Sequence, residues 1–110
     1  MKRTPVKKRR AGTRRGVLKD PKYYAWLATQ PGIVYGGRCF TRHHVRFCGS
    51  GKSDRRALPM ERGYHQIQEG PESIEYLGKK KFEALHGINL EEEIVKHQNR
   101  YLAEHPDVKW

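Results

Sequence analysis

Residues 1–19 carry Lys2, Arg3, Lys7, Lys8, Arg9, Arg10, Arg14, Arg15 and Lys19 and no acid, and that asymmetry limits how much of the chain can fold. Nine of the net eleven positive charges of this 110-residue chain lie there. A run such as "KRTPVKKRRAGTRRG" has too little apolar surface to offset the entropy of ordering it. Residues 1–19 are therefore expected to be a disordered basic arm, and residues 20–110 one domain. An arm of this kind suits a polyanion, because each phosphate neutralised by Lys or Arg releases condensed counterions. A solubility tail, or a targeting signal in a eukaryotic host, is the plainer alternative. The arm has almost no large apolar residue to insert into a lipid surface, so a membrane role is not expected. No apolar run is long enough for a signal peptide or a membrane span, which points to a soluble, intracellular, cytoplasmic protein. Cys39 and Cys48 form neither a disulfide framework nor a CxxC pair, and are expected to be reduced and to serve in packing.

Beyond the arm, "DPKYYAWLATQPG" reads as a short helix, with Asp20 as N-cap, Pro21 at the first helical position and Pro-Gly as the stop. "IVYGGRCFTRHHVRF" offers two β-rich runs split by Gly36-Gly37, a hairpin pattern. "CGSGKSDRRA" reads as a loop, and "MERGYHQIQEG" has room for two helical turns before Gly70-Pro71. From Glu72 the apolar residues Ile74, Leu77, Phe82 and Leu85 fall along one helical side that Gly87 ends. Asn89 can cap a last helix in which Leu90, Ile94, His97 and Tyr101 share a stripe. The fold class expected from this order is α+β, a β-hairpin followed by helices.

The residues with chemical potential cluster between positions 42 and 75. His43 and His44 are adjacent, and His65 follows twenty-one residues after His44. Imidazole is the commonest metal ligand in proteins and a general base near neutral pH. Adjacent side chains of a regular strand point to opposite faces, so both histidines can address one site only where the strand ends or bulges. The intervening loop supplies Gly49, Gly51, Lys52, Arg55 and Arg56, backbone and cationic groups suited to a phosphodiester. It is not a nucleotide-binding P-loop, because Arg46 stands where that motif needs glycine.

The segment "YYAWLATQPGIVYGG…TRHHVR…GSGKSDRRALPMERGYHQIQEGPESIEYLGKKKFEALHGI" resembles the HNH-type, ββα-metal nucleases of phages and bacteria, in particular a small branch related to phage recombination-enhancement nucleases. The likeness spans roughly residues 21 to 90 and rests most firmly on "HHVR", "KSDRRALP" and "SIEYLGKKKFEALHGI". It implies a small ββα-metal core with flanking helices. By this resemblance His43, His65 and Glu75 are metal ligands and His44 is the base that deprotonates water. Glu75 stands where the family usually has histidine; a carboxylate there favours Mg²⁺ or Mn²⁺, while the imidazoles keep Zn²⁺, Ni²⁺ or Co²⁺ open. The family's base-orienting asparagine has no counterpart, and Asp54 or Ser53 is the available substitute. Many members also hold a structural zinc at four positions that here read Gly32, Tyr35, Glu61 and Tyr64. No structural zinc is expected, and Tyr35, Tyr64, Met60 and the last helix are expected to replace it by packing.

The function expected is hydrolysis of DNA phosphodiester bonds, single- or double-stranded, in phage or bacterial recombination, repair or processing, with a recombinase or another phage or host protein as a possible partner. Arg42, Arg46, Lys52, Arg55 and Arg56 would hold the backbone, with Lys7, Lys8, Arg9, Arg10, Arg14 and Arg15 of the arm. Activity that needs a neutral His44 should rise through the ordinary imidazole range, roughly pH 6 to 7.5. The rival reading is a noncatalytic nucleic-acid-binding protein that keeps this fold. An iron oxygenase using two histidines and a carboxylate needs a larger β-rich scaffold than this chain supplies, and a basic packaging protein would leave the histidines incidental.

Overall fold

The computed structural model describes residues 18–46 and 53–110. The arm over residues 1–17 and the loop residues 47–52, with Cys48, Gly49, Gly51 and Lys52, lie outside the described residues.

Helix α1 (Pro21–Leu27) starts as its sequence dictates: Asp20 Oδ1 accepts the Tyr23 N–H at 3.2 Å, and Pro21 opens the first turn. The expected hairpin across Gly36–Gly37 is replaced by a turn. The Gly32 N–H donates to the Gly37 carbonyl at 2.7 Å and the Gly36 N–H to the Gly32 carbonyl at 3.1 Å. Both glycines are needed there for different reasons. Gly36 has φ +81°, and a Cβ on Gly37 would stand 2.4 Å from the Tyr35 ring folded over it.

The hairpin that does form is wider. Strand β1 (Thr41–His44) pairs antiparallel with β2 (Ala57–Met60), setting His43 opposite Leu58 and His44 opposite Ala57. Val45 N–H donates to Arg56 O at 2.9 Å, so the alternation of the ladder puts Arg42 and Pro59 in a non-hydrogen-bonded pair. The missing N–H of Pro59 therefore costs β1 nothing. On the other edge of β2 the Pro59 carbonyl accepts the Ile33 N–H at 3.1 Å.

Every residue of β2 is buried, because apolar clusters lie on both of its faces. Leu58 and Met60 join Val45, Ile74, Phe82, Leu90 and Ile94. Ala57 joins Tyr23, Leu27 and Tyr101. Helix α4 (Leu90–Glu104), capped by Asn89 Oδ1 on the Glu92 N–H at 3.0 Å, runs about 22 Å and serves both clusters. Leu90 and Ile94 enter the first and Tyr101 the second, so the predicted stripe is the buried one.

The helical segment expected from Glu72 is two helices, α2 (Ile74–Leu77) and α3 (Lys79–His86), divided by Gly78 at φ +84°. That break resets the helical phase. Phe82 remains in the core while Leu85 is 56% exposed instead of continuing the stripe. The stretch before α2 forms only a single 3₁₀ turn, Ile67–Glu69, rather than two turns of α-helix. The described residues are thus an α+β fold, a two-stranded antiparallel hairpin followed by helices. Among them no helix is long and apolar enough to cross a membrane.

Candidate active site at the end of strand β1

His44 is the last residue of β1, although the ladder runs one pair further through the Val45 N–H on the Arg56 carbonyl at 2.9 Å, so the two histidines of the pair keep the alternation of a strand. His43 and His44 line one open cleft of about 250 Å³ with Val45, Arg46, Ile74, Lys79 and Leu90. Each ring has its own support. The His43 ring meets that of His65, centroids 4.9 Å apart at 67°. The Tyr24 ring stacks on His44 at 5.1 Å and 17°, and Arg42 lies over Tyr24, 4.0 Å from its centroid, while donating to the Tyr24 carbonyl at 2.8 Å.

Asp54 holds His44 from the other side. Its Oδ1 lies 3.1 Å from His44 Nε2, its Oδ2 accepts the Asp20 N–H at 2.8 Å, and its own N–H donates to the Leu18 carbonyl at 2.8 Å. A carboxylate can only accept, so Nε2 is the donor in this contact, and in the neutral ring the lone pair is on Nδ1. Of Ser53 and Asp54, Asp54 is the one in contact with His44. The contact links loop, strand and the start of the domain, since Asp20 also caps α1 and accepts Arg55 Nε at 3.1 Å.

His65 is fixed through Nδ1, 2.7 Å from Thr41 Oγ1, and through its N–H, which reaches Glu69 Oε1 at 3.3 Å. Glu69 also accepts the Gly63 N–H at 2.8 Å and so shapes the turn carrying His65. Glu75 lies beside His65, its N–H donating to the His65 carbonyl at 3.2 Å, but its Oε1 accepts the Ile67 N–H at 3.0 Å. The fold thus brings His43 against His65, sets Glu75 one backbone bond from His65 with its carboxylate engaged by one oxygen, and holds His44 separately against Tyr24 and Asp54. Among the described residues no three His, Cys, Asp or Glu side chains are grouped closely enough to hold a metal ion. In donor type alone, two imidazoles in ring contact and a neighbouring carboxylate are groups that a divalent cation takes, while His65 Nδ1 lies on Thr41 and Glu75 Oε1 on Ile67.

The cations expected to hold a nucleic-acid backbone divide into two sets. Arg56 donates from Nη1 and Nη2 to both carboxylate oxygens of Glu91, at 3.0 and 2.5 Å, and from Nε to the Val45 carbonyl at 3.0 Å. Hydrogen bonding from Arg56 holds the Glu91 carboxyl below the usual carboxylate range. Arg55 is bound to Asp20 and lies 3.9 Å from the Trp110 ring centroid. Arg42 is engaged with Tyr24, as above. These three brace the fold, whereas Arg46 is exposed on the cleft. Lys52, Lys7, Lys8, Arg9, Arg10, Arg14 and Arg15 lie outside the described residues.

Sequence reasoning missed Lys79, Tyr24 and Glu61. Lys79 lines the cleft from the first turn of α3. Glu61 stands at one of the four positions where the resemblance places a structural zinc. It is fully buried, and its carboxylate accepts the N–H groups of Val34 at 3.0 Å, Tyr35 at 2.7 Å and Gly37 at 3.0 Å. A Cβ on Gly32 would fall 2.2 Å from that carboxylate. The four positions are thus closed by a hydrogen-bonded carboxylate, with an edge-on Tyr35–Tyr64 contact at 6.0 Å and buried Met60 beside it, rather than by apolar packing alone. Cys39 is half-buried with its thiol donating to the Thr41 carbonyl at 3.3 Å, and burial raises its pKa. No protein-family model, curated protein or solved structure matches the chain.

Proposed function

We propose that this chain is an HNH-type endonuclease that hydrolyses DNA phosphodiester bonds, with His44 as general base and His43, His65 and Glu75 as the holders of one divalent cation. The observation that carries this reading is the His44–Asp54 contact at the end of β1, in a cleft that His43, Arg46 and Lys79 also line. With Asp54 on Nε2, His44 offers Nδ1 to a water and can store its proton as an imidazolium facing a carboxylate. In this reading Arg46, exposed on the cleft, and Lys79, which also pairs with Glu91 at 3.7 Å, would take the non-bridging phosphate oxygens, and the basic arm would add sequence-independent affinity. A bound divalent ion, Mg²⁺ or Mn²⁺ by the carboxylate and Zn²⁺, Ni²⁺ or Co²⁺ by the imidazoles, supplies charge stabilisation at the phosphate and the leaving 3′ oxygen. Phage or bacterial recombination, repair or processing of DNA, with a recombinase as partner, is the setting this reading favours.

One observation favours the rival, a noncatalytic nucleic-acid-binding protein: the engagement of Glu75 with Ile67. A single experiment separates the two. Plasmid and single-stranded DNA are incubated with wild type and His44→Ala, with EDTA or with Mg²⁺, Mn²⁺ or Zn²⁺. Metal-dependent cleavage lost in His44→Ala supports the nuclease. Equal DNA binding with no cleavage by either protein rejects it in favour of the binding protein.

A further inference from the structure

We infer a second site, a cradle for the unpaired bases of a single-stranded nucleic acid, at the opposite end of β1 from His44. It is an open cleft of about 490 Å³ lined by Tyr35, Arg38, Cys39, Phe40 and Arg62, within the range of roughly 300 to 1,000 Å³ usual for ligand sites. Its rings face solvent: Tyr35 is 68% and Phe40 47% exposed. Exposed aromatic faces between arginines are the combination that binds single strands, the rings stacking on bases while the cations follow the phosphates.

The cradle is built rather than incidental. Glu61 ties down the N–H groups of Val34, Tyr35 and Gly37, so the segment bearing Tyr35 is held by three hydrogen bonds. The Tyr35 ring is set between Gly37, where a side chain would collide with it, and the edge of Tyr64. The Arg62 guanidinium lies 4.4 Å from the Phe40 ring centroid, covering one face of the ring and extending its stack. Among the described residues no acid lines the cleft, and the nearby Glu61 carboxylate is buried against backbone donors, so the surface is complementary to a polyanion. A duplex would leave the two rings unused, because its bases are stacked on one another and its outer surface offers phosphates. An unpaired strand uses both features.

Phe40 immediately precedes β1 and His44 ends it, about 13 Å further along at the usual strand rise. The cradle stands on its own geometry and does not require His44 to be catalytic.

The test is fluorescence anisotropy in EDTA, where no cleavage intervenes, with the full-length chain and three labelled probes: an oligothymidine, the same length of abasic strand, and a duplex. The variants are Tyr35→Leu with Phe40→Leu, which keep apolar bulk but remove the rings, and Tyr35→Phe with Phe40→Tyr, which keep them. Base stacking on an aromatic ring is worth about 5- to 150-fold per base, so the leucine pair should bind oligothymidine at least about tenfold more weakly. The aromatic pair should bind as wild type, and duplex affinity should be unchanged in both. Wild type should also favour oligothymidine over the abasic strand by a similar factor. The proposal is overturned if the leucine pair, with an unchanged circular dichroism spectrum, binds oligothymidine as tightly as wild type. It fails equally if the abasic strand binds as well as oligothymidine, or if duplex binding falls by the same factor. Should the leucine pair not fold, the abasic comparison on wild type alone decides.

Discussion

Replacing Glu61 by glutamine changes no volume and removes one charge, which makes it a sharp test of what holds residues 32–37 together. In the wild type Oε1 serves Val34 and Oε2 serves both Tyr35 and Gly37. The better placement of the amide keeps its oxygen on Tyr35 and Gly37 and turns its NH₂ toward the Val34 N–H. One bond is then lost, two donors face each other, and the two remaining bonds lose their charge assistance, which roughly halves them. An orphaned donor costs about 1–3 kcal/mol and halving two charge-assisted bonds of about 1.5–3 removes about as much again, so the whole change should cost about 2.5–6 kcal/mol. Glu61→Ala orphans all three donors, and with water entering the space left behind should cost about 3 kcal/mol or more. In a domain of this size each kcal/mol moves Tm by about 4–8 °C, which predicts a fall of at least about 10 °C for the glutamine variant. Thermal unfolding by circular dichroism at pH 7 reads this directly. Amide exchange should show protection at Val34, Tyr35 and Gly37 that the substitution removes selectively. A glutamine variant melting within 2 °C of wild type, or three amides that exchange fast in the wild type already, would refute the assignment of Glu61 as the strut of this turn.

Three further outcomes can be measured on the same preparations. Tyr23 is fully buried and its hydroxyl has no partner among the described residues, burial pushing its pKa well above the phenolic range; Tyr23→Phe should therefore stabilise by about 1 kcal/mol, and a lower Tm would show that the hydroxyl is satisfied. Burial also lowers the pKa of His97, against the raising effect of the Glu93 carbonyl and carboxylate and with the lowering effect of Arg100 and Lys96. The unfolded chain takes up this proton near pH 6.5 and the folded chain only below it, so stability contributed by His97 is full above pH 7 and falls as pH drops. Denaturant titrations of wild type and His97→Gln should converge toward acid pH, and parallel curves between pH 5 and 7.5 would contradict this. Asp54→Asn should leave the circular dichroism spectrum intact while lowering cleavage about 100-fold, because an amide can present its NH₂ to Nε2 and shift the His44 proton to Nδ1. The imidazole ¹⁵N shifts of His44 should report that tautomer change, and unchanged shifts would remove Asp54 from the role.

The local signals in the chain were strong where capping chemistry is local. Asp20 with Pro21, and Asn89 ahead of a 3.6-residue apolar stripe, announce α1 and α4 because cap and helix lie within a few residues of each other. Gly36-Gly37 misled for a related reason. Two adjacent glycines look like a hairpin turn, but one supplies a positive φ and the other makes room for the Tyr35 ring, demands visible only once the segment has folded. The true partner of β1 is "ALPM", four residues with a proline, which carries no strand period because both of its faces are buried. Arg56 and Glu91 are 35 positions apart, so nothing near either of them distinguishes a structural guanidinium from a phosphate-binding one. Glu61 was hidden by analogy: a position expected to hold a metal ligand was read for what it lacked.

The same contrast explains how the candidate site came to be partly legible. His43, His44 and His65 stand out among the six histidines because two of them are adjacent and imidazole is chemically specific. Their arrangement depends on contacts distant in sequence: His43 meets His65, which Thr41 holds, while His44 meets Tyr24 and Asp54. Asp54 bonds back to both Leu18 and Asp20 and so pins its loop to the start of the domain beside the last strand residue. The carboxylate in contact with His44 thus belongs to the residue that holds Leu18 and Asp20, where the basic arm meets the domain. If the arm carries nucleic acid, as its charge favours, its point of attachment lies against the base proposed to act on that nucleic acid. Shifting that attachment by inserting a flexible Gly-Ser segment between Lys19 and Asp20 should leave binding affinity nearly intact yet impair cleavage. Loss of affinity together with an unimpaired rate per bound complex would show that the arm's position relative to His44 is immaterial.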